Sequence, residues 1–141
     1  IEVLNKAVQE DKKPILGICL GMQLLTKHSE EGNIDGLGFI DAQTLKFKLE
    51  DPQLKIPHMG WNTVQFKKES NLRNEIRPNP RYYFVHSYFV DCNKQEDVLC
   101  FTDYGKKFVS GFEHENIFGL QFHPEKSHKY GMDLLANFCK I

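Results

Sequence analysis

The sequence has no excess of charge of either sign and no long apolar run. Its 18 basic and 19 acidic residues give a formal net charge of −1, so no general attraction to nucleic acid or to an anionic membrane surface is expected. A transmembrane helix needs about 20 consecutive apolar residues, and nothing at the start resembles a signal peptide. We therefore expect neither nucleic acid nor membrane as a partner.

The sequence also lacks the spacings that are typical of disulfide frameworks and metal sites. Its four cysteines, Cys19, Cys92, Cys100 and Cys139, include no C-x-x-C pair, so reduced thiols in a cytoplasmic protein are the simplest interpretation. No histidine stands at ligand spacing from a second histidine or cysteine, so no zinc site is predicted. We expect no metal and no cofactor, and we assign the last three cysteines to packing or surface positions.

The sequence does contain the pattern of one α/β domain over residues 1–141. An amphipathic helix opens the chain, the wholly apolar Ile15–Cys19 indicates a strand buried on both faces, and 20–27 is compatible with a helix. This strand–turn–helix unit is typical of parallel α/β sheets. Further strands are predicted at 44–49, 63–66, 82–90, 98–104, 108–113 and 117–122, with a last helix from about 127.

Gly17-Ile18-Cys19-Leu20-Gly21 matches the G-x-nucleophile-x-G pattern of a nucleophile elbow. A residue on such a sharp turn has strained backbone angles, so we expect its neighbours to be small. The turn would place Cys19 at the start of a helix, where the dipole and free N–H groups favour a thiolate and a developing oxyanion. The alternative is a small buried cysteine in the core.

Gln121-Phe122-His123-Pro124-Glu125 follows the last predicted strand. In extended backbone, residues i and i+2 project to the same side, and Pro124 biases His123 toward that geometry. Glu125 can then hold one ring nitrogen of His123 while the other faces the thiol. A nucleophile, a base and a group that orients the base form the general triad arrangement.

These two segments resemble the signatures of class I (triad-type) glutamine amidotransferases. The resemblance narrows to the glutaminase subunits of imidazole glycerol phosphate synthase, of histidine biosynthesis, through Ser-Glu-Glu-Gly at 29–32, Gly-Leu-Gly at 36–38, Pro-His-Met-Gly-Trp-Asn at 57–62 and Tyr-Phe-Val-His-Ser-Tyr at 83–88. It implies a flavodoxin-like three-layer α/β fold, with a mixed sheet and a nucleophile elbow. Family members carry more chain upstream of the first helix, so we expect the first strands of that fold and a second oxyanion donor to be missing.

The resemblance also implies roles for individual residues. Cys19 would be the nucleophile, His123 the base and Glu125 its orienting partner. A pocket for L-glutamine would be formed by Gln23, Glu31, His86, Ser87 and Tyr88, with the backbone N–H of Leu20 as an oxyanion donor.

A partner is implied as well. It is a HisF-like cyclase (synthase) subunit that forms a heterodimer with the glutaminase and receives ammonia through a channel. Trp61, in a predicted Gly-Trp-Asn turn, and Tyr83 would face this subunit. The alternative for Trp61 is an ordinary core aromatic.

Three alternatives remain open at this point. Thr26-Lys27-His28 and 128–132 look more like a divergent branch that supplies ammonia for amidino-sugar synthesis in surface glycans. A second alternative is another elbow-type cysteine hydrolase, such as a γ-glutamyl hydrolase or a peptidase relative. A third, of another class, is an amidotransferase-like subunit that binds its partner without turnover. The sequence does not identify the acceptor of the ammonia.

Overall fold

The computed structural model describes residues 1–141 as a nine-stranded mixed sheet, a separate two-stranded ribbon and three short helical regions. The helices are α1 (Glu2–Asn5), which continues as a π-helix (Lys6–Glu10), α2 (Leu20–Leu24) and α3 (His128–Phe138). The strands are β1 (Ile15–Ile18), β2 (His28–Ser29), β3 (Ile34–Asp35), β4 (Ala42–Lys46), β5 (His58–Thr63), β6 (Gln65–Phe66), β7 (Arg81–His86), β8 (Tyr88–Cys92), β9 (Val98–Asp103), β10 (Lys107–His114) and β11 (Ile117–Leu120).

The pairing of β1 with β11 brings the two ends of the sequence together. The strands run parallel, with Ile18 opposite Leu120, and the N–H of Cys19 donates to the carbonyl of Leu120 at 2.8 Å. The sheet continues from β11 through β10, β8 and β4 to β2 and β3, while β9 pairs with β10 and β6. Carboxyl ends of neighbouring parallel strands lie at one sheet edge. The residues that follow β1 and β11 are therefore neighbours in space.

Two apolar clusters of 12 buried residues each surround the sheet. One includes Val8 and Met22, from the π-helix and α2. The other includes Leu134 of α3 and the aromatic residues Tyr82 and Phe84 of β7. Helices thus pack on opposite faces of the sheet, as expected for a three-layer α/β domain. No helix combines the length and the apolar character that crossing a membrane would require.

The predicted order of strands is confirmed, but three local predictions are wrong. The opening helix changes to π-helical hydrogen bonding after Asn5, and β1 is mostly half-buried instead of buried on both faces. The predicted strand 82–90 is two strands separated by Ser87. The short strands β2 and β3 were not predicted, because two-residue strands carry no detectable periodicity.

The largest correction concerns the predicted turn at Gly60–Asn62. These residues lie inside β5, where Trp61 pairs with Tyr83 across the antiparallel β5–β7 ribbon. Gly60 has φ +123°, a conformation that glycine adopts without a steric penalty. Glycine and asparagine suggest a turn when read locally, but cross-strand pairing outweighs that preference.

Candidate active site

Cys19 lies on a sharp turn between β1 and α2, with φ 51° and ψ −109°. Few residues other than glycine adopt such angles, and their occurrence marks stored backbone strain. A Cβ atom added to Gly17 would lie 2.6 Å from the carbonyl oxygen of Gly21, so Gly17 is required by close approach. A Cβ on Gly21 would meet nothing within 4 Å. The expected steric need for small neighbours therefore holds at Gly17 and not at Gly21.

The Cys19 sulfur has two polar neighbours from other parts of the chain. The side-chain Nε2 of Gln121 donates to it at 3.7 Å, and the carbonyl oxygen of Val85 lies 3.8 Å away. Gln121 directly follows β11, and Val85 belongs to β7. Residues 66 and 102 positions away in the sequence thus contact the candidate nucleophile.

Burial raises the pKa of the Cys19 thiol above its ordinary value and is the largest influence on it. The N–H of Leu20 and the amide of Gln121 lower this pKa, whereas the negative charges of Glu125 and Glu31 raise it. We expected the start of the helix to favour a thiolate, and only the N–H of Leu20 acts in that direction. In this structure desolvation outweighs it, because an anion loses more solvation than a neutral thiol on burial.

His123 and Glu125 form a hydrogen-bonded pair beside this turn. Their Nδ1 and Oε1 atoms are 2.6 Å apart, and the backbone N–H of His123 donates to the carbonyl of Tyr83 at 2.9 Å. His123 has extended backbone angles, as predicted from the proline that follows it. Its Nε2 is buried and makes no hydrogen bond within the protein, including to Cys19. One ring nitrogen is therefore oriented by a carboxylate while the other is unpaired.

Strand β7 contacts both candidate catalytic residues. The sulfur of Cys19 lies against the carbonyl of Val85, and His123 is hydrogen-bonded to the carbonyl of Tyr83, two residues earlier. Carbonyl groups two residues apart on a strand point in the same direction. The thiol of Cys19 and the backbone N–H of His123 thus lie along the same edge of one strand.

Three of the residues predicted for a glutamine pocket line one cavity of about 280 Å³. They are Leu20, Gln23 and Glu31, and the cavity is completed by Leu24, Ser29, Ile34, Asp35 and Gly36. Gln23 is only 5% exposed, so it is not a solvated helix residue. Leu20, the residue after Cys19, lines this cavity, whereas Cys19 and His123 do not.

The ring of His86 does not contribute to that cavity. Its Nε2 lies 2.9 Å from Nδ1 of His58, and its Nδ1 lies 2.7 Å from the carbonyl of Tyr88, so both nitrogens are engaged inside the protein. The His86 ring therefore lies outside this cavity, and the part of His86 in a glutamine pocket stays a prediction. Its aromatic neighbours, Phe47 and Phe84 among them, hold the ring in the core. Ser87 and Tyr88 are half-buried and line none of the cavity beside Cys19.

Trp61 lies at the surface, with 44% of its area exposed. Its ring is stacked on His128, with centroids 5.6 Å apart and planes 6° apart, and meets Tyr83 edge-on at 6.4 Å. Trp61, Arg81, His128, Lys129 and Tyr130 line an open groove of about 500 Å³. Trp61 is therefore not a core aromatic, and we refer to these five residues as the Trp61 groove.

Two features of the site were not predicted. Gln121 is the first residue of the Gln-Phe-His-Pro-Glu segment, but no role was predicted for it. Its position directly after the strand that pairs with β1 could have indicated that it lies near Cys19. The pairing of His58 with His86 had no signal in the sequence. No group of three histidine, cysteine or acidic residues forms a possible metal site.

A strained cysteine at the end of a strand, beside a histidine–carboxylate pair on an α/β sheet, defines the class of cysteine-dependent hydrolytic and transfer enzymes with a nucleophile elbow. The family model for glutamine amidotransferase class-I matches residues 1–141. The chain belongs to that family.

Within the family the chain is similar to proteins named imidazole glycerol phosphate synthase subunit HisH. It is 54% identical to HisH 2 of Methanococcus maripaludis, covering 99% of this chain and 69% of that protein. It is 49% identical to HisH 1 of Campylobacter jejuni and 44% identical to HisH of Leptospira interrogans, covering 70% of each. The narrower resemblance predicted from the sequence is confirmed by these relatives.

Solved structures confirm the fold. A protein from Thermoplasma acidophilum, described as one of the subunits of a GMP synthase, has a TM-score of 0.70 at 24% identity, and this chain covers 62% of its length. A glutamine amidotransferase from Thermotoga maritima has a TM-score of 0.66 at 21% identity, with 52% of its length covered. At these identities the likeness concerns the fold alone.

Proposed function

We propose that this protein hydrolyses L-glutamine at Cys19 and delivers the ammonia to a HisF-like cyclase subunit, as the glutaminase part of an imidazole glycerol phosphate synthase. One observation carries the proposal. A strained Cys19 and an oriented His123–Glu125 pair lie along the same strand, beside a cavity, in a chain of the glutamine amidotransferase family.

In the proposed reaction, His123 takes the proton of the Cys19 thiol as the sulfur attacks the side-chain carboxamide carbon of glutamine. The tetrahedral intermediate collapses to a γ-glutamyl thioester, and His123 returns the proton to the departing ammonia. A water molecule, deprotonated by His123, then attacks the thioester carbon. Glutamate is released, and the proton returns to the sulfur. Glu125 stabilises the imidazolium that forms in each half of the reaction.

The cavity beside Cys19 is proposed to bind the substrate. Glu31 carries a carboxylate suited to the α-ammonium group of glutamine, and Gln23 lines the same wall. The N–H of Leu20 lies beside the sulfur and is the proposed oxyanion donor. A backbone donor of this kind contributes most when it already points to where the negative charge develops.

The Trp61 groove is the proposed docking surface for the cyclase. It combines an exposed tryptophan with two cationic side chains, Arg81 and Lys129. Tryptophan and arginine are enriched at the energetic centres of interfaces. The groove is adjacent to the candidate base. Trp61 pairs with Tyr83 across the β5–β7 ribbon, and the carbonyl of Tyr83 accepts a hydrogen bond from the backbone N–H of His123. Ammonia released near His123 would have a short route to a partner bound there.

The first test is the substitution Cys19→Ser in the full-length protein with its cyclase. A hydroxyl is a far weaker nucleophile than a thiolate at neutral pH, so glutamine-dependent ammonia release should disappear while the melting temperature and partner binding stay the same. A variant that kept more than about a tenth of the parent kcat would refute the nucleophile assignment. No release by the parent protein would favour the non-catalytic binding subunit instead.

The second test is Trp61→Ala, which should weaken binding to the cyclase by roughly 2 kcal/mol, the usual cost at an interface hot spot. Cyclase-stimulated glutamine hydrolysis should fall with it, with little change in melting temperature. Val3→Ala is a matched control, because Val3 is 85% exposed and lies in α1, away from the groove. A large drop in melting temperature with unchanged affinity would make Trp61 a structural residue.

An acceptor in amidino-sugar synthesis is the second candidate. Its support is the position of His128. This residue belongs to the segment 128–132, which departs from the pattern of the subunits of histidine biosynthesis, and its ring stacks on Trp61 in the proposed docking surface. If the protein serves another synthase, adaptation to that synthase is expected to change the sequence of the docking surface. Titrating the glutaminase rate with each type of synthase decides between them, since only the true partner should stimulate it. The four free cysteines suit action in a reducing cytoplasm for either acceptor.

A further inference from the structure

We propose that Gln121 positions the nucleophile by donating a hydrogen bond to the Cys19 sulfur, and that Gln23 holds the Gln121 amide in the orientation that allows this. The proposal depends on the proposed function in one respect, that Cys19 is the nucleophile. It gives roles to two glutamines whose side chains meet inside the protein at 3.2 Å.

The two amides are buried at the candidate active site. Gln121 is 0% exposed and Gln23 is 5% exposed. Burying a polar side chain is unfavourable unless its hydrogen bonds are satisfied. Most buried positions in a domain core are occupied by apolar side chains. Two adjacent glutamines beside a reactive thiol therefore indicate that the hydrogen bonds themselves are needed.

The direction of each hydrogen bond follows from one backbone carbonyl. Nε2 of Gln23 lies 3.3 Å from the carbonyl oxygen of Tyr88, which can only accept, so the NH₂ group of Gln23 must be on this side. Its second hydrogen then points to Oε1 of Gln121 at 3.2 Å. With its oxygen engaged, Gln121 has its NH₂ group left for the sulfur, 3.7 Å away. A flipped Gln121 would bring two NH₂ groups together and turn an oxygen, in place of the donor, toward the sulfur.

The accepting carbonyl is itself held in place. The Tyr88 carbonyl also receives a hydrogen bond of 2.7 Å from Nδ1 of His86, whose ring is packed in the core. Tyr88 begins β8, which is paired with β4 and β10 on its two sides. The orientation of the Gln23–Gln121 pair is therefore anchored in the central sheet, not in a mobile surface loop.

A donor at the sulfur counteracts an unfavourable environment. The charged groups that act on Cys19 are Glu125 and Glu31, both of which disfavour a thiolate, and His123 is the candidate base. A hydrogen bond to the charged form stabilises that form. The Gln121 N–H lowers the pKa of the thiol against the effects of burial and of the two carboxylates. It also limits rotation of the sulfur, which has to face both base and substrate.

The test measures the reactivity of Cys19 without turnover. The rate of its alkylation by iodoacetamide is followed against pH in the full-length protein, with the modified site identified by mass spectrometry. Gln121→Glu keeps an oxygen that can accept from Gln23 but removes the donor to sulfur. The fraction of thiolate below the thiol pKa should fall roughly tenfold, the effect expected for a lost hydrogen bond to a charged group. Gln23→Met should have a smaller effect in the same direction.

Asn137→Leu is the matched control. Asn137 is a buried amide on α3 whose Nδ2 donates to the carbonyls of Leu72 and Asn74 at 2.9 and 2.7 Å, with no connection to Cys19. Its loss should lower the melting temperature without changing alkylation. Gln121→Met is measured alongside Gln121→Glu in every case, since an apolar side chain of similar length removes the same donor without adding a negative charge beside the sulfur.

An alkylation profile unchanged in both Gln121→Glu and Gln121→Met would overturn the proposal, as would an equal change in Asn137→Leu. Glutamine hydrolysis is measured separately on the parent protein. Absence of hydrolysis with a shifted alkylation profile would refute the proposed function and leave the role of Gln121 intact. Normal hydrolysis with an unshifted profile would do the reverse.

Discussion

Two hydrogen-bonded pairs that contain histidine, His123–Glu125 and His58–His86, lie within this small domain and have opposite properties. His123 and Glu125 form a pair in which the carboxylate is 46% exposed and the imidazole retains an unpaired Nε2. His58 and His86 are 4% and 5% exposed, and their rings are bonded to each other at 2.9 Å. The first pair leaves one ring nitrogen free for a new hydrogen bond. The second is built to remain neutral.

The buried pair has a determined arrangement of protons. His86 donates from Nδ1 to the Tyr88 carbonyl, so its Nε2 must accept from Nδ1 of His58. Nε2 of His58 then accepts from Asn62, whose other hydrogen goes to the carbonyl of Asp103 at 2.9 Å. The two carbonyls at the ends of this series of hydrogen bonds thus specify both tautomers.

This difference shows which environment leaves a histidine available for chemistry. Burial lowers the pKa of His58 and of His86 to about 4, with the neighbouring ring adding to the effect on His58. Complete satisfaction of all ring nitrogens leaves no site for a substrate proton. His123 has a carboxylate on one nitrogen only, which orients the ring and leaves the other nitrogen for exchange.

Among the substitutions that test this comparison, His123→Ala should have the largest effect on glutamine hydrolysis. Loss of a general base typically costs 10²- to 10⁴-fold, and here the same group serves both halves of the reaction, so we expect about a 10³-fold fall in kcat for glutamine hydrolysis. The measurement is steady-state ammonia release in the presence of the cyclase. His58→Asn, with its donor to His86 retained, is the comparison variant and should keep measurable turnover. Similar losses in the two variants would remove the distinction between the pairs.

Glu125→Ala should be milder, because it removes orientation and charge support while leaving His123 in place. In triad enzymes, removal of the orienting carboxylate lowers kcat roughly 10- to 100-fold less than removal of the base, so we expect a fall of about 10- to 100-fold here. The kcat of this variant is compared directly with that of His123→Ala. A loss as large as that of His123→Ala would mean that the carboxylate does more than orient and stabilise the ring.

The smallest expected effect is on stability as pH falls. A histidine whose pKa is lower in the folded than in the unfolded state makes the unfolded chain bind more protons between these values, so stability decreases from about pH 6.5 to pH 4. For a shift from 6.5 to about 4 at each of the two histidines, the free energy of unfolding should fall by about 2 kcal/mol per histidine, about 4 kcal/mol for the pair, between pH 7 and pH 5. Urea unfolding at the two values measures this.

Comparison with two variants isolates the contribution of the pair. His58→Asn should flatten the pH dependence, because one of the two buried titrating groups is gone. His28→Asn should leave the fall toward acidic pH in place, since His28 is at the surface and its hydrogen bond to Asp35 raises its pKa. Equal slopes for the parent and His58→Asn would show that the buried pair does not titrate as described.

Features with local causes can be predicted from the amino-acid sequence alone. Gly17 and Cys19 indicate the elbow because close backbone approach and unusual backbone angles restrict the residue types. His123 and Glu125 meet because extended backbone places alternate residues on one side. The order of the main strands is also indicated locally, by runs of β-branched and aromatic residues.

Features that depend on pairing between distant segments could not be predicted in this way. The ring of His86 turns into the core because His58 lies opposite it across the β5–β7 ribbon, which no local pattern indicates. Trp61 lies in a strand, not in a turn, for the same reason. The contacts of Gln121 with Gln23 and Cys19 join residues 98 and 102 positions apart. Those contacts exist because β1 pairs with β11, and strand pairing over such a separation depends on the packing of the whole sheet.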